Sequence, residues 1–72
     1  MKEGILIYDE NVNRLDILFS TGNSLGGLHC GDRLEVLQYE EWVPTRVEYD
    51  DGWYLYGLYQ RENIPADLKV RA

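Results

Sequence analysis

The tripeptide Asp50-Asp51-Gly52 lies between two alternating segments, and it constrains the fold more than any other feature of the sequence. An Asp-Gly pair supplies the positive φ angles that a tight β-hairpin turn requires. Residues 42–49 before the tripeptide and residues 53–59 after it alternate with a period of two, which is typical of strands. We therefore predict a hairpin. On its return strand, one face should carry Trp53, Leu55, Gly57 and Tyr59. The opposite face should carry Tyr54, Tyr56 and Leu58.

Other short segments also have the composition of strands. Polar turn formers at residues 9–13 separate residues 5–8 from residues 14–19, which predicts a first hairpin. Residues 34–38 and 68–71 are predicted to be further strands, and residues 60–63 a polar turn. Residues 64–67 have the composition of one short helical turn. A glycine-rich loop at about residues 20–31 should be held to the core by Leu25 and Leu28.

Five or six short strands in 72 residues predict an all-β fold, a small barrel whose closure removes exposed sheet edges. The length allows one domain, so residues 1–72 are expected to fold as a unit. A hydrophobic content of 44% and an aromatic content of 12% are typical of a chain that folds rather than of a disordered one.

Several segments of the last forty residues or so resemble an SH3-like barrel. Residues 31–37 are similar to the Gly-Asp turn and following strand of that fold, and Trp42 is similar to its strand-opening tryptophan. The resemblance implies a five- to six-stranded barrel. It also implies an incomplete proline-peptide groove. Leu68 stands where such domains carry a tyrosine, and Glu10 stands in place of a second early tyrosine.

Three further runs carry a more specific resemblance, namely Leu28-His29-Cys30-Gly31-Asp32, Glu41-Trp42-Val43-Pro44-Thr45-Arg46-Val47-Glu48 and Asp50-Asp51-Gly52-Trp53-Tyr54-Leu55. They are similar to a family of small bacterial domains of unknown function that are often associated with mobile elements. This resemblance implies a domain without assigned biochemistry.

The net charge of -6, from 13 acidic and 7 basic residues, makes nucleic acid an unlikely partner, because nucleic acid requires clustered lysine and arginine. No apolar run approaches the roughly 20 residues of a membrane-spanning helix. Cys30 is the one cysteine, so an intrachain disulfide is excluded. These features predict a cytoplasmic protein that does not contact membranes.

The candidate chemical groups do not form a catalytic set. His29 and Cys30 are adjacent, so on a strand they would point to opposite faces, and a partly buried thiol beside a surface imidazole is expected. The carboxylates at residues 40–41 and 50–51 belong to predicted turns. We therefore predict a protein that is not an enzyme and that needs no metal or other cofactor.

The aromatic side chains are the most informative candidates for function, because exposed Tyr and Trp are enriched at binding surfaces. We predict a module that binds a protein or peptide partner through an aromatic surface. The contact residues expected are Trp42, Tyr54, Tyr56 and Arg46, with Tyr8 as a weaker addition. Two alternatives stay open: an acidic regulator or nucleic-acid mimic that contacts a basic protein, and a structural or self-assembly module.

Overall fold

A computed structural model describes residues 1–60 and 63–72. These residues contain one antiparallel sheet of six strands. Its strands are β1 (Glu3–Asp9), β2 (Arg14–Phe19), β3 (Arg33–Gln38), β4 (Glu41–Tyr49), β5 (Trp53–Leu55) and β6 (Lys69–Arg71). The order across the sheet is β2-β1-β6-β3-β4-β5. The all-β prediction is confirmed, and the described residues contain no α-helix. The sheet is not closed, so the word barrel describes it only approximately.

A single core lies on one face of this sheet, and every strand contributes to it. Because side chains alternate along a strand, the buried residues of β1, β3 and β4 are every second one. The buried apolar side chains are Leu6, Leu15, Ile17, Leu28, Leu34, Val36, Val47, Leu55, Leu68 and Val70. Since the two outermost strands share this core, the sheet curls around it.

The short last strand, β6, connects the two halves of the sheet. It pairs with β1 on one side and with β3 on the other, so Val70 lies opposite both Gly4 and Val36. Gly4 also lies opposite Phe19 of β2. A Cβ atom on Gly4 would lie 2.4 Å from the backbone oxygen of Leu18, so only glycine permits this approach. Backbone hydrogen bonds in both directions between Lys2 and Ala72 extend the pairing beyond β1.

Loop residues cover part of both outer edges of the sheet. Along β2, the backbone N–H groups of Leu25 and Leu28 donate to the carbonyl oxygens of Ile17 and Leu15, at 3.0 and 2.7 Å. Leu28 is buried, as predicted, but Leu25 is 46% exposed, so its expected anchoring role is wrong. Backbone pairing with Leu25 holds the loop against β2 and leaves the leucine side chain in solvent.

Asp16 of β2 is buried, although the alternation places it on the polar face. Its Oδ1 atom accepts hydrogen bonds from the backbone N–H groups of Ile17 and Gly26, at 2.7 and 3.1 Å. The loop over β2 therefore covers this carboxylate and uses it as an acceptor. Buried polar groups require such partners.

Two local predictions need correction. The return strand ends at Leu55 instead of Tyr59, because the chain turns at residues 56–58, where Gly57 has a φ of 76°. Residues 64–67 form no helical turn. They contain a tight turn at residues 66–67, and Asp67 has a φ of 58°. The polar turn predicted at residues 60–63 includes residues 61 and 62, which lie outside the described residues.

The turn between β3 and β4 contains two strained residues, which leads to a stability prediction. Tyr39 and Glu40 have φ values of 48° and 67°, and the Tyr39 side chain is 98% exposed. Two-residue hairpin turns with positive φ at both positions favour Asn-Gly. The double substitution Tyr39→Asn, Glu40→Gly should therefore raise the free energy of unfolding by about 1 kcal/mol, as measured by urea denaturation.

The control for this turn is Glu10→Gly, which repeats the glutamate-to-glycine part of that change in the β1–β2 connection, at a residue outside the positive-φ set. There the glycine relieves no strain and adds freedom to the unfolded chain, so stability should stay constant or fall. Equal stabilisation by both substitutions would contradict the strain assigned to residues 39–40.

The position of β6 leads to a second stability prediction. Val70 is fully buried and touches both halves of the core, so Val70→Ala should lower the free energy of unfolding by roughly 2–3 kcal/mol. Val12 is 55% exposed in the first turn, and Val12→Ala should change stability by less than about 0.5 kcal/mol. Similar losses in thermal denaturation would contradict the role of β6.

Candidate functional site

Four of the five predicted contact residues lie on or beside the sheet face opposite the core, which we call the outer face. Trp42 and Arg46 alternate with the buried residues of β4, Tyr54 lies on β5 and Tyr56 follows that strand. Tyr54 is the cross-strand neighbour of Glu48. The expected split of the return strand is confirmed for residues 53–55, because Leu55 faces the core and Tyr54 faces away from it.

Arg46 is the centre of one polar cluster on the outer face. Its guanidinium carbon lies 3.8 Å from the centroid of the Tyr56 ring, and its Nε donates to Glu48 Oε2 at 2.7 Å. The hydrogen bond to Glu48 raises the pKa of Arg46 above its ordinary value, so this side chain stays charged. The backbone N–H of Tyr56 donates to the Arg46 carbonyl oxygen, which fixes the ring beside the guanidinium.

Arg71 forms a second cluster of the same kind around Trp42. Its guanidinium carbon lies 4.4 Å from the centroid of the Trp42 ring, and its Nε donates to Glu35 Oε1 at 2.6 Å. Trp42 and Arg46 are four residues apart on β4, a separation of about 13 Å. In both clusters an arginine covers one face of the aromatic ring.

Tyr8, the fifth predicted residue, lies away from the outer face in a groove of about 720 Å³. We call this the Tyr8–Trp53 groove. Strand β1 supplies Tyr8 near its end, and Trp53 opens β5. Other residues that line the groove include Asn13, Tyr49, Ile64, Pro65 and Asp67. The resemblance to SH3-like domains implies Trp42 as the groove tryptophan, whereas the tryptophan that lines this groove is Trp53.

Asn13 fixes two of the rings in the groove. The Tyr8 hydroxyl donates to Asn13 Oδ1 at 3.0 Å, and the Trp53 Nε1–H donates to the Asn13 backbone oxygen at 2.8 Å. Asn13 has a φ of 54°, in the left-handed region that asparagine tolerates better than most residues. The sequence marks residue 13 only as a turn former, since its contact with Trp53 joins positions 40 residues apart.

Besides its hydrogen bond to Asn13, Trp53 contacts Tyr49, Arg14 and the core. The Tyr49 and Trp53 rings meet edge to face with centroids 4.9 Å apart, and the Arg14 guanidinium carbon lies 5.6 Å from the Trp53 centroid. Trp53 also packs against the core. Since Arg14 belongs to β2 and Trp53 to β5, side chains connect the two outermost strands where the sheet remains open.

The charges of the molecule are unevenly distributed around the groove. Asp67 is the charged residue among the described residues that line it, and Asp9 and Glu10 follow Tyr8 in the chain. Four of the seven basic residues, by contrast, lie on the outer face: Arg33, Arg46, Lys69 and Arg71. The groove therefore has a carboxylate in its lining, together with the Arg14 guanidinium over Trp53.

His29 and Cys30 lie in an exposed turn, so the expected partial burial of the thiol is wrong. The backbone N–H of His29 donates to Asp32 Oδ2 at 2.8 Å, and the His29 Nδ1 atom lies 3.8 Å from the same oxygen.

No group of three potential ligands among His, Cys, Asp and Glu could hold a metal ion within residues 1–60 and 63–72. In the same ranges, no helix is long and apolar enough to cross a membrane.

Comparison with known proteins shows which family the chain belongs to. The model of a family described as "Domain of unknown function (DUF5348)" matches residues 4–72. The chain belongs to this family. A crystal structure of a protein from Ruminococcus gnavus is similar to this DUF5348 chain, with 42% sequence identity and a TM-score of 0.87. The alignment covers 99% of this chain and 100% of the other. No curated protein matches the chain.

The two tryptophans give a matched test of the groove geometry. Trp53→Phe keeps a ring but removes the N–H that donates to Asn13, so it should lower the free energy of unfolding by about 1 kcal/mol and speed amide exchange at residues 10–13. Trp42→Phe keeps a ring for Arg71 and should leave exchange at residues 10–13 unchanged. Equal exchange in both variants would contradict the role of the indole hydrogen bond.

Proposed function

We propose that this DUF5348 chain is a non-catalytic binding module that holds an extended segment of a partner protein in the Tyr8–Trp53 groove. The observation that carries the proposal is the combination of a concave site with aromatic walls that are still accessible. Tyr8 is 49% exposed and Tyr49 is 55% exposed, although both border the groove. Binding sites are typically concave, with apolar and aromatic walls and a few polar groups.

The contacts of the rings favour the groove over the outer face. On the outer face, Arg46 covers one side of Tyr56 and Arg71 covers one side of Trp42. A partner there would meet rings that already have cationic neighbours. In the groove, Arg14 lies over Trp53, but no arginine lies over Tyr8 or Tyr49 within residues 1–60 and 63–72. Tyr49 meets Trp53 edge to face and is 55% exposed.

The groove is also organised before any partner arrives. Asn13 bonds to both Tyr8 and Trp53, and Trp53 packs against the core. Walls that already hold their bound conformation reduce the entropy lost on association. This pre-organisation supports a role in binding and gives these two hydrogen bonds a function beyond stability.

The covered edges of the sheet favour a side-chain groove over strand addition. An extended segment can join an exposed sheet edge by backbone hydrogen bonds. Here Leu25 and Leu28 occupy part of the β2 edge, and Tyr59 exchanges backbone hydrogen bonds with Leu55 of β5. The same coverage disfavours self-assembly through those edges.

The free thiol of Cys30 fits a reducing compartment, and we propose a cytoplasmic location on that ground.

The test is a nuclear magnetic resonance titration with a panel of blocked eight-residue peptides of mixed sequence. We expect binding peptides to shift the Trp53 indole and Tyr8 ring signals. Tyr49→Ala should weaken those peptides by about tenfold, since it removes an accessible wall of the groove. Tyr39→Ala is the control, because it removes an exposed tyrosine from a turn outside the groove.

Variants of the outer face complete this experiment. Trp42→Ala and Tyr54→Ala should leave peptide affinity within about twofold of the unmodified protein if the groove is the site. The proposal fails if peptide shifts cluster at Arg46 and Tyr56 and disappear in these two variants. It also fails if no peptide shifts the groove signals at millimolar concentration.

A further inference from the structure

We infer that the Tyr8–Trp53 groove recognises its segment through an arginine side chain, which stacks on the accessible tyrosine rings and pairs with Asp67. This inference rests on the proposed function, and it names the chemistry that the groove selects. The groups that carry it are the ring faces, the hydrogen bonds of Asn13 and the distribution of charge.

The hydrogen bonds within the groove remove two donors that a ligand could otherwise use. The Trp53 N–H and the Tyr8 O–H are both donated to Asn13. A peptide carbonyl oxygen therefore finds neither of these groups free. The remaining side-chain donors are the hydroxyl of Tyr49 and the amide of Asn13, both on exposed residues. What the walls offer is the negative face of aromatic rings.

The carboxylate that lines the groove favours a cation, although the Arg14 guanidinium already lies over Trp53. Asp67 lines the groove, and the neighbouring first turn carries Asp9 and Glu10. The Asp9 Oδ1 atom accepts a hydrogen bond from the Asn11 backbone N–H at 3.0 Å. An anionic segment would be repelled here, whereas a cationic side chain gains from both the rings and the carboxylate.

One ring of the groove already carries a guanidinium group within the fold. Arg14 lies over Trp53, and its Nη1 atom donates to the Leu28 carbonyl oxygen at 3.3 Å, which holds the arginine in place. Arg14 covers Trp53, so a ligand cation is directed to Tyr8 and Tyr49. A planar guanidinium can stack on a ring and bond to a carboxylate at once, whereas the lysine ammonium is a compact, strongly hydrated point charge. Arginine is therefore the preferred residue.

The test uses blocked seven-residue peptides that differ only at the central residue: arginine, lysine, citrulline or glutamate. Citrulline keeps the shape of arginine and removes its charge. In titrations followed at the Tyr8, Tyr49 and Trp53 signals, the arginine peptide should bind about tenfold more tightly than the citrulline peptide. The lysine peptide should lie between them, and the glutamate peptide should bind least.

Asp67→Asn tests the carboxylate with little risk to the fold, because asparagine tolerates the positive φ of residue 67. It should reduce the preference for arginine over citrulline by about threefold or more. Glu41→Gln removes the same charge at an exposed position outside the groove lining and should preserve the preference.

The outcomes separate this inference from the proposed function. Equal affinities of the arginine and citrulline peptides at the groove would overturn the inference and leave the groove a binding site. Tighter binding of the glutamate peptide would also overturn it. If none of these peptides, and none of the mixed-sequence panel, shifts the groove signals, both proposals fail.

Discussion

The pairing of β6 with both β1 and β3 is the constraint on which the rest of the structure depends. The three-residue strand β6 (Lys69–Arg71) connects the β1–β2 hairpin to the β3–β4–β5 unit. Its flanking residues Leu68 and Ala72 extend the backbone hydrogen bonds to the first hairpin. A two-stranded hairpin is at best marginally stable alone, and neither unit could cover the core by itself. Burial of Val70 between Gly4 and Val36 therefore brings together apolar faces that are distant in sequence.

The groove is a product of the same assembly. Tyr8 and Asn13 come from the first hairpin, whereas Tyr49 and Trp53 come from the second unit. The hydrogen bond from Trp53 to Asn13 joins the two where the sheet is open. The aromatic residues consequently have different roles. Trp42 and Tyr56 of the outer face form clusters with arginine and glutamate, and Trp53, Tyr8 and Tyr49 line the groove.

Local features of the fold could be predicted from the sequence, but the assembly of the groove could not. The turn at residues 50–52 and the alternation on both sides of it depend on neighbouring residues, and both are present in the structure. The burial of Asp16 and the exposure of Leu25 depend on how a loop lies against β2, which alternation does not encode. Residue types identified Tyr8 and Trp42 as aromatic candidates. Their separation, and the position of Trp53, arise from contacts across tens of residues.

The hydrogen bonds between Lys2 and Ala72 have a mechanical consequence. The two residues lie side by side at one end of neighbouring antiparallel strands, so a force that draws them apart acts along the inter-strand hydrogen bonds, across the strands. Such a load opens one pair of bonds at a time, as in a zipper, instead of shearing all of them together. The first strand released would be β6. The connection that makes the domain a single unit would therefore also be the first to yield under tension.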